Sequence, residues 1–184
     1  ASLLIAASLG CSAPTAAADR ALIMTISNYP QNPLPGASLD DANFRQILTR
    51  MGIGTDKIRS LKDKALTAQG IRSALDQLVA ETQNGDRVFV HFSGHGTSQA
   101  VGDSCQQSLV GHDLELVPSS TLADALQRLR DKASKVMVVV DACHSGGIAE
   151  VAGTRGGPST QTHQRKLRPR YLATRLSCDK PVNV

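Results

Sequence analysis

Two short stretches of this 184-residue chain each set reactive side chains among glycines. One reads His91-Phe92-Ser93-Gly94-His95-Gly96, the other Asp141-Ala142-Cys143-His144-Ser145-Gly146-Gly147. A thiol attacks a carbonyl carbon as its thiolate, and an ordinary Cys is mostly protonated at neutral pH. A nucleophilic Cys therefore needs an imidazole within reach to take or balance its proton. The same ring can later protonate a leaving amine. His95 and Cys143 are the candidate catalytic pair. Gly94, Gly96, Gly146 and Gly147 let a substrate main chain approach closely. The N–H groups of Gly96 and Cys143 are candidates for an oxyanion hole in acyl transfer. Metal ligation is the competing use of His91, His95, His112 and His144, but their spacing fits no zinc pattern and no metal site is expected.

Catalysis by this pair requires two distant stretches to meet, and the flanking pattern supplies a means. Continuous apolar runs at Ala21–Ser27, Arg87–Gly94 and Lys135–Ala142, with a shorter one at Lys57–Leu61, read as buried strands. Between them lie three amphipathic segments. The first places Ala42, Phe44, Ile47, Leu48 and Met51 on one face, behind a capping box of Ser38 and Asp41. The second opens at Thr67 and carries Ile71, Ala74, Leu75, Leu78 and Val79. The third is capped by Thr121 with Asp124 and carries Leu122, Leu126 and Leu129. The stretch between Gly96 and the third helix reads as a polar loop, with a short extended piece near Leu109–Val117. Alternating strands and helices predict an α/β fold, a mostly parallel sheet between two helical layers. Its parallel strands end on one edge, where His95 and Cys143 would face one another across a single strand gap.

Composition narrows the function classes. The formal charge is +4 and aromatics are only 3%, with no Trp, so base-stacking platforms are scarce and no nucleic-acid partner is expected. Much of the positive charge sits in one acid-free run, with Arg155, Arg165, Lys166, Arg168, Arg170 and Arg175. That run reads as a solvated basic, Gly-rich linker over 153–170. Residues 1–18 read as part of an export signal, an apolar core followed by Ala16-x-Ala18 ahead of Asp19, which implies a secreted or periplasmic protein. A lipoprotein box around Cys11 is a lesser alternative. No segment reads as a membrane span. Four cysteines, Cys11, Cys105, Cys143 and Cys178, fit no dense disulfide framework, and Cys105 with Cys178 is the pair expected to close in an oxidising compartment.

The stretches "HFSGHG" and "DACHSGG", together with "ALIMTISNYP", "LPGASLDDA" and "GDRVFVHFSGHG" upstream, resemble the caspase-fold cysteine peptidases, and most closely their metacaspase and bacterial orthocaspase branch. The resemblance covers about 21–147. It implies a caspase-like three-layer α/β/α sandwich, with the catalytic domain over 19–152 and the start of a truncated C-terminal portion over 171–184. It implies His95 as general acid/base and Cys143 as nucleophile. It also implies a substrate-binding pocket of Asp40, Ser93 and Asp141, with Asp41 competing for the place of Asp40. Such an acidic pocket selects Arg or Lys before the scissile bond in peptide or protein substrates, and the basic linker then offers sites for self-cleavage. No cofactor is required by this reading; calcium is a family option, with Asp103, Asp113 and Glu150 as oxygen donors. The small portion that completes the groove in this family is expected as further chain or as a separate small chain. The alternative reading is a catalytically silent caspase-like binding or scaffold domain.

Overall fold

The computed structural model of the protein describes residues 17–101 and 104–142. Four parallel strands, β1 (Asp19–Thr25), β2 (Ile58–Lys62), β3 (Arg87–Ser93) and β7 (Lys135–Asp141), form a sheet in the order β2-β1-β3-β7. Three helices cover it: α1 (Ala37–Arg50), α2 (Ala68–Glu81) and α3 (Ser119–Arg130). A smaller antiparallel sheet, β4 (Gly96–Val101), β5 (Ser104–Val110) and β6 (Leu116–Pro118), is inserted between β3 and α3.

The central strands are apolar on consecutive residues because both faces are covered. Leu22, Ile23 and Met24 of β1 are each 0% exposed. Leu22 and Met24 join Val88, Val90 and Phe92 in a core beneath α2 and α3, which supply Ile71, Leu75, Leu78, Leu122, Leu126 and Leu129. On the other face Ala21, Ile23 and Phe89 pack with Phe44 and Leu48 of α1. Burying side chains of this size contributes about 1.5–3 kcal/mol each. The result is the three-layer α/β/α sandwich expected from the sequence.

Several local expectations need correction. The α1 N-cap is Gly36, and no capping box forms: Ser38 donates its hydroxyl to the Pro35 carbonyl at 2.6 Å, and the Asp41 carboxylate faces β2. The buried face of α1 is Ala37, Asp41, Phe44 and Leu48, while Ile47 and Met51 are exposed. α1 ends at Gly52 (φ 85), where the Ile53 N–H reaches the Leu48 carbonyl at 3.1 Å and the Gly52 N–H that of Thr49 at 3.0 Å. This left-handed stop brings Ile53 back onto Leu48 in the core. Thr67 does cap α2, accepting from the Gly70 N–H at 3.0 Å. α3 starts two residues before Thr121, with Pro118 at its N-cap and no side-chain cap, so Thr121 and Asp124 are not its capping box. The region read as a polar loop after Gly96 is the β4–β6 sheet.

The strand order places a topological switch between β1 and β3. The chain leaves β1 for α1 on one face, and leaves β3 for the small sheet and α3 on the side of the larger core. In open α/β sheets such a divergence opens a crevice beyond the carboxyl ends of the strands, where ligands commonly bind.

Candidate active site

His95 sits at that crevice, two residues past β3, and the loop that follows β1 holds it. The Tyr29 hydroxyl accepts from the His95 N–H at 2.9 Å and donates to the Val110 carbonyl at 2.9 Å. The Val110 N–H in turn donates to the His95 carbonyl at 3.0 Å. The Tyr29 and His95 rings pack with centroids 4.5 Å apart. The imidazole Nε2 lies 2.7 Å from the Asn32 carbonyl oxygen. A carbonyl only accepts, so Nε2 carries the proton and Nδ1 is the basic nitrogen of the neutral ring. Asn32 takes a left-handed backbone (φ 50), which Asn tolerates better than most residues.

The β1 loop is anchored from below by Asp63, which follows β2. Its carboxylate accepts from the Ser27 N–H and the Asn28 N–H, both at 2.8 Å, and from the Asn28 amide at 3.0 Å. Burial works against the Asp63 charge, but these donors outweigh it and hold the carboxyl below the usual range.

The other face of the rim carries the acids. Ser93 donates to Asp40 at 2.6 Å, joining the end of β3 to the first turn of α1. Asp141 is the register partner of Ser93 on the adjacent strand, so both carboxylates flank the same serine. The Gly94 N–H bonds the Asp141 carbonyl at 3.2 Å, tying the two strand ends together. Asp41 points elsewhere: it accepts from the Ser60 hydroxyl and pairs with Lys62 at 2.8 Å. Burial opposes its charge, but Lys62 and Ser60 prevail and keep its carboxyl below the usual range. The neighbouring acids are thus distinct. Asp41 is neutralised by a protein cation, while among the described residues no cation is paired with Asp40 or Asp141.

One row beneath Ser93, His91 is buried and stacked on Phe44 of α1, centroids 4.3 Å apart. Its Nδ1 lies 3.1 Å from the Val139 carbonyl and its Nε2 has no partner. Burial pushes its pKa down, against the pull of Asp40, Asp141 and Asp41, so the ring is neutral at pH 7. His91 and His95 serve different faces, His91 packing on α1 and His95 on Tyr29 of the opposite core.

Of the site residues expected from the sequence, the fold brings Asp40, Ser93 and Asp141 together at one face of the rim and sets His95 beside them. Gly96 opens β4 opposite Leu109 and is buried. Cys143, His144, Gly146 and Gly147 lie outside the described residues, as do the segment 1–16, the linker and the C-terminal portion. Asp103 and Glu150 also lie outside them, and Asp113 accepts from the Ala68 N–H at 3.0 Å at the start of α2. His112 lies near Tyr29, ring centroids 6.5 Å apart. Cys105 is disulfide-bonded. Sequence reasoning missed Tyr29, Asn32 and Asp63. Only Tyr29 left a signal, a lone aromatic in a turn-rich loop. Asn32 acts through its main chain, and Asp63 looks like any surface acid.

A sheet whose switch-point rim carries a histidine held by the β1 loop beside the carboxylates Asp40 and Asp141 has a counterpart among known proteins. A family profile described as Caspase domain matches residues 18–177, and the chain belongs to that family. Among curated proteins it is similar to Metacaspase-7 of Arabidopsis thaliana, 31% identical over 79% of this chain and 39% of that one. It is also similar to Metacaspase-6 of the same plant, 32% identical over 78% and 42%. The chain therefore spans about two fifths of the length of these relatives. A crystal structure of a Geobacter sulfurreducens protein shares the fold with a TM-score of 0.54 at 21% identity, covering 73% of this chain and 54% of that one.

Proposed function

We propose that the protein is a cysteine endopeptidase that cleaves peptide bonds after Arg or Lys. The observation that supports the specificity is the pair of carboxylates, Asp40 and Asp141, at Ser93, with no cation paired to them among the described residues. Clustered carboxylates repel one another, and a substrate cation relieves that cost. True caspases select Asp instead, which this rim would repel.

Cys143 follows Asp141 by two residues, and in this reading its thiol gives a proton to Nδ1 of His95. The thiolate adds to the scissile carbonyl carbon. The N–H groups of Gly96 and Cys143 bind the resulting oxyanion. Collapse expels the amine, which takes the proton from His95, and leaves a thioester. Water then adds to the thioester with its proton passing to His95, and release of the acid returns that proton to sulfur. The Asn32 carbonyl keeps the ring in the required tautomer and steadies the imidazolium. The same activity acting on 153–175 would give self-processing after Arg or Lys. The groove is completed by the C-terminal portion or a separate small chain. Export fits the disulfide at Cys105, since such bonds persist in oxidising compartments. Among the described residues no helix is long and apolar enough to cross a membrane.

The test uses the full chain with matched fluorogenic peptides bearing Arg, Lys or Asp before the reporter. Arg and Lys peptides should turn over and the Asp peptide should not, and Cys143→Ala should abolish turnover. Undiminished cleavage by Cys143→Ala, or equal rates on Arg and Asp peptides, would overturn the reading.

A further inference from the structure

We infer that Tyr29 is a positioning residue for His95: its hydroxyl fixes the main chain on which the imidazole is carried and thereby sets the proton-transfer geometry of the site. The inference rests on the peptidase reading above. Both main-chain polar groups of His95 are spoken for, the N–H by Tyr29 and the C=O by the Val110 N–H. The Tyr29 hydroxyl closes the circuit by donating to the Val110 carbonyl, so His95, Val110 and Tyr29 form a three-cornered network. The ring of Tyr29 supports one side of the imidazole, and the carbonyl of Asn32, three residues along the same loop, accepts a hydrogen bond from its Nε2–H. One loop thus restrains His95 at its backbone, its ring and one nitrogen.

The fit also accounts for a glycine. A Cβ on Gly94 would lie 2.7 Å from the Tyr29 hydroxyl oxygen and 3.0 Å from Cζ of Phe92. The bare backbone at 94 is what lets the hydroxyl reach the next residue's N–H. Tyr29 does not itself exchange protons at physiological pH. Its hydroxyl is buried, and burial, aided by Asp63, raises its pKa far beyond that range despite the His95 N–H. It stays a neutral donor, which suits a strut and not a base.

The experiment uses the full chain and compares Tyr29→Phe, which keeps the ring and removes one oxygen, with wild type, His95→Ala and Ile71→Val, a core truncation away from the rim. The readouts are kcat and KM on an Arg peptide and the pH profile of Cys143 alkylation by iodoacetamide. Misplacing a catalytic group by about 1 Å can cost about 100-fold. Tyr29→Phe should therefore lower kcat roughly 10- to 100-fold with KM within about twofold, and shift the alkylation profile toward that of His95→Ala. Ile71→Val should lower the melting temperature without moving the profile. Gly94→Ala, which puts a methyl where the hydroxyl approaches, should move kcat and profile in the same direction as Tyr29→Phe and serves if that variant does not fold. An unchanged profile and kcat in Tyr29→Phe or Gly94→Ala, while His95→Ala alters both, overturns this inference alone. Alkylation indifferent to His95→Ala overturns the peptidase reading, and the inference with it.

Discussion

The two faces of the rim hold their functional groups by different means. On the Tyr29 face, His95 is fixed mostly by main-chain contacts: its own N–H and C=O, the Val110 peptide and the Asn32 carbonyl. On the α1 face the fixing is done by side chains, Ser93 to Asp40, and Lys62 with Ser60 to Asp41. His95 is thus held by peptide groups and one neutral phenol hydroxyl rather than by charge pairs. The pocket is charged and can be altered one residue at a time. On the proposed function, chemistry and selectivity would be separable on the two sides of one strand end.

The sharpest test of that separation is Asp40→Ala. Asp40 is half-buried and would be covered by a bound Arg side chain; losing one partner of such a covered charge pair costs about 2–4 kcal/mol, so kcat/KM on Arg peptides should fall roughly 30- to 1,000-fold. Cys143 alkylation should keep its wild-type pH profile, the converse of the Tyr29→Phe pattern. A changed profile would mean that the two faces are coupled. Next comes Asp63→Asn, which weakens the anchor of the β1 loop. Weakening the bond to the part-buried Ser27 N–H, with the exposed Asn28 bonds adding little, costs about 1 kcal/mol. The urea midpoint should drop by that equivalent, and kcat should fall more than selectivity changes.

A smaller effect is expected from His91 on the pocket side. In the unfolded chain its ring gains a proton near the ordinary value of about 6.5. In the fold, burial lowers that value. The unfolded state binds the proton first as pH falls, so stability is full above about pH 6.5 and declines in the window below it. His91→Phe should flatten that decline in urea titrations run between about pH 7 and 5. Asp41 and Asp63 have the opposite charge type and lowered values, so their stabilisation is present above about pH 4 and is lost below it, a separate window. The smallest effect belongs to Arg128→Ala. Its pair with Asp76 is exposed on both sides, and melting should shift by the equivalent of less than about 0.5 kcal/mol.

The sequence was legible where burial and periodicity coincide. β1 and β3 are apolar runs because two layers cover them, β7 is an apolar run at the sheet edge and only partly covered, and Ile71, Ala74, Leu75, Leu78 and Val79 lie on the buried side of α2 as their spacing predicts. The face of α1 was misread because a carboxylate, Asp41, occupies a core-facing position, with Ser60 and Lys62 making it tolerable. Of the β4–β6 sheet the sequence showed only an extended piece near Leu109–Val117, because its buried positions include Thr97, Ser98, Gln107 and Ser108, which carry no apolar alternation. At the candidate site, the sequence pointed to His95, Ser93, Asp40 and Asp141, which the fold places at one rim, and left Asp40 and Asp41 as rivals. Only geometry separates them, since one faces Ser93 and the other Lys62. The supports of His95 were not legible because they act through peptide groups and a phenol distant in sequence.

The direction of one bond on the pocket side has a further consequence. Ser93 spends its single hydroxyl proton on Asp40, so it can offer an incoming side chain nothing but lone pairs. Flanked by two carboxylates, that corner of the molecule is lined with acceptors. A guanidinium or ammonium arrives with only donors and is matched at every contact. On the proposed function, an acidic side chain would bring only acceptors to this corner and would be turned away by geometry as well as by sign.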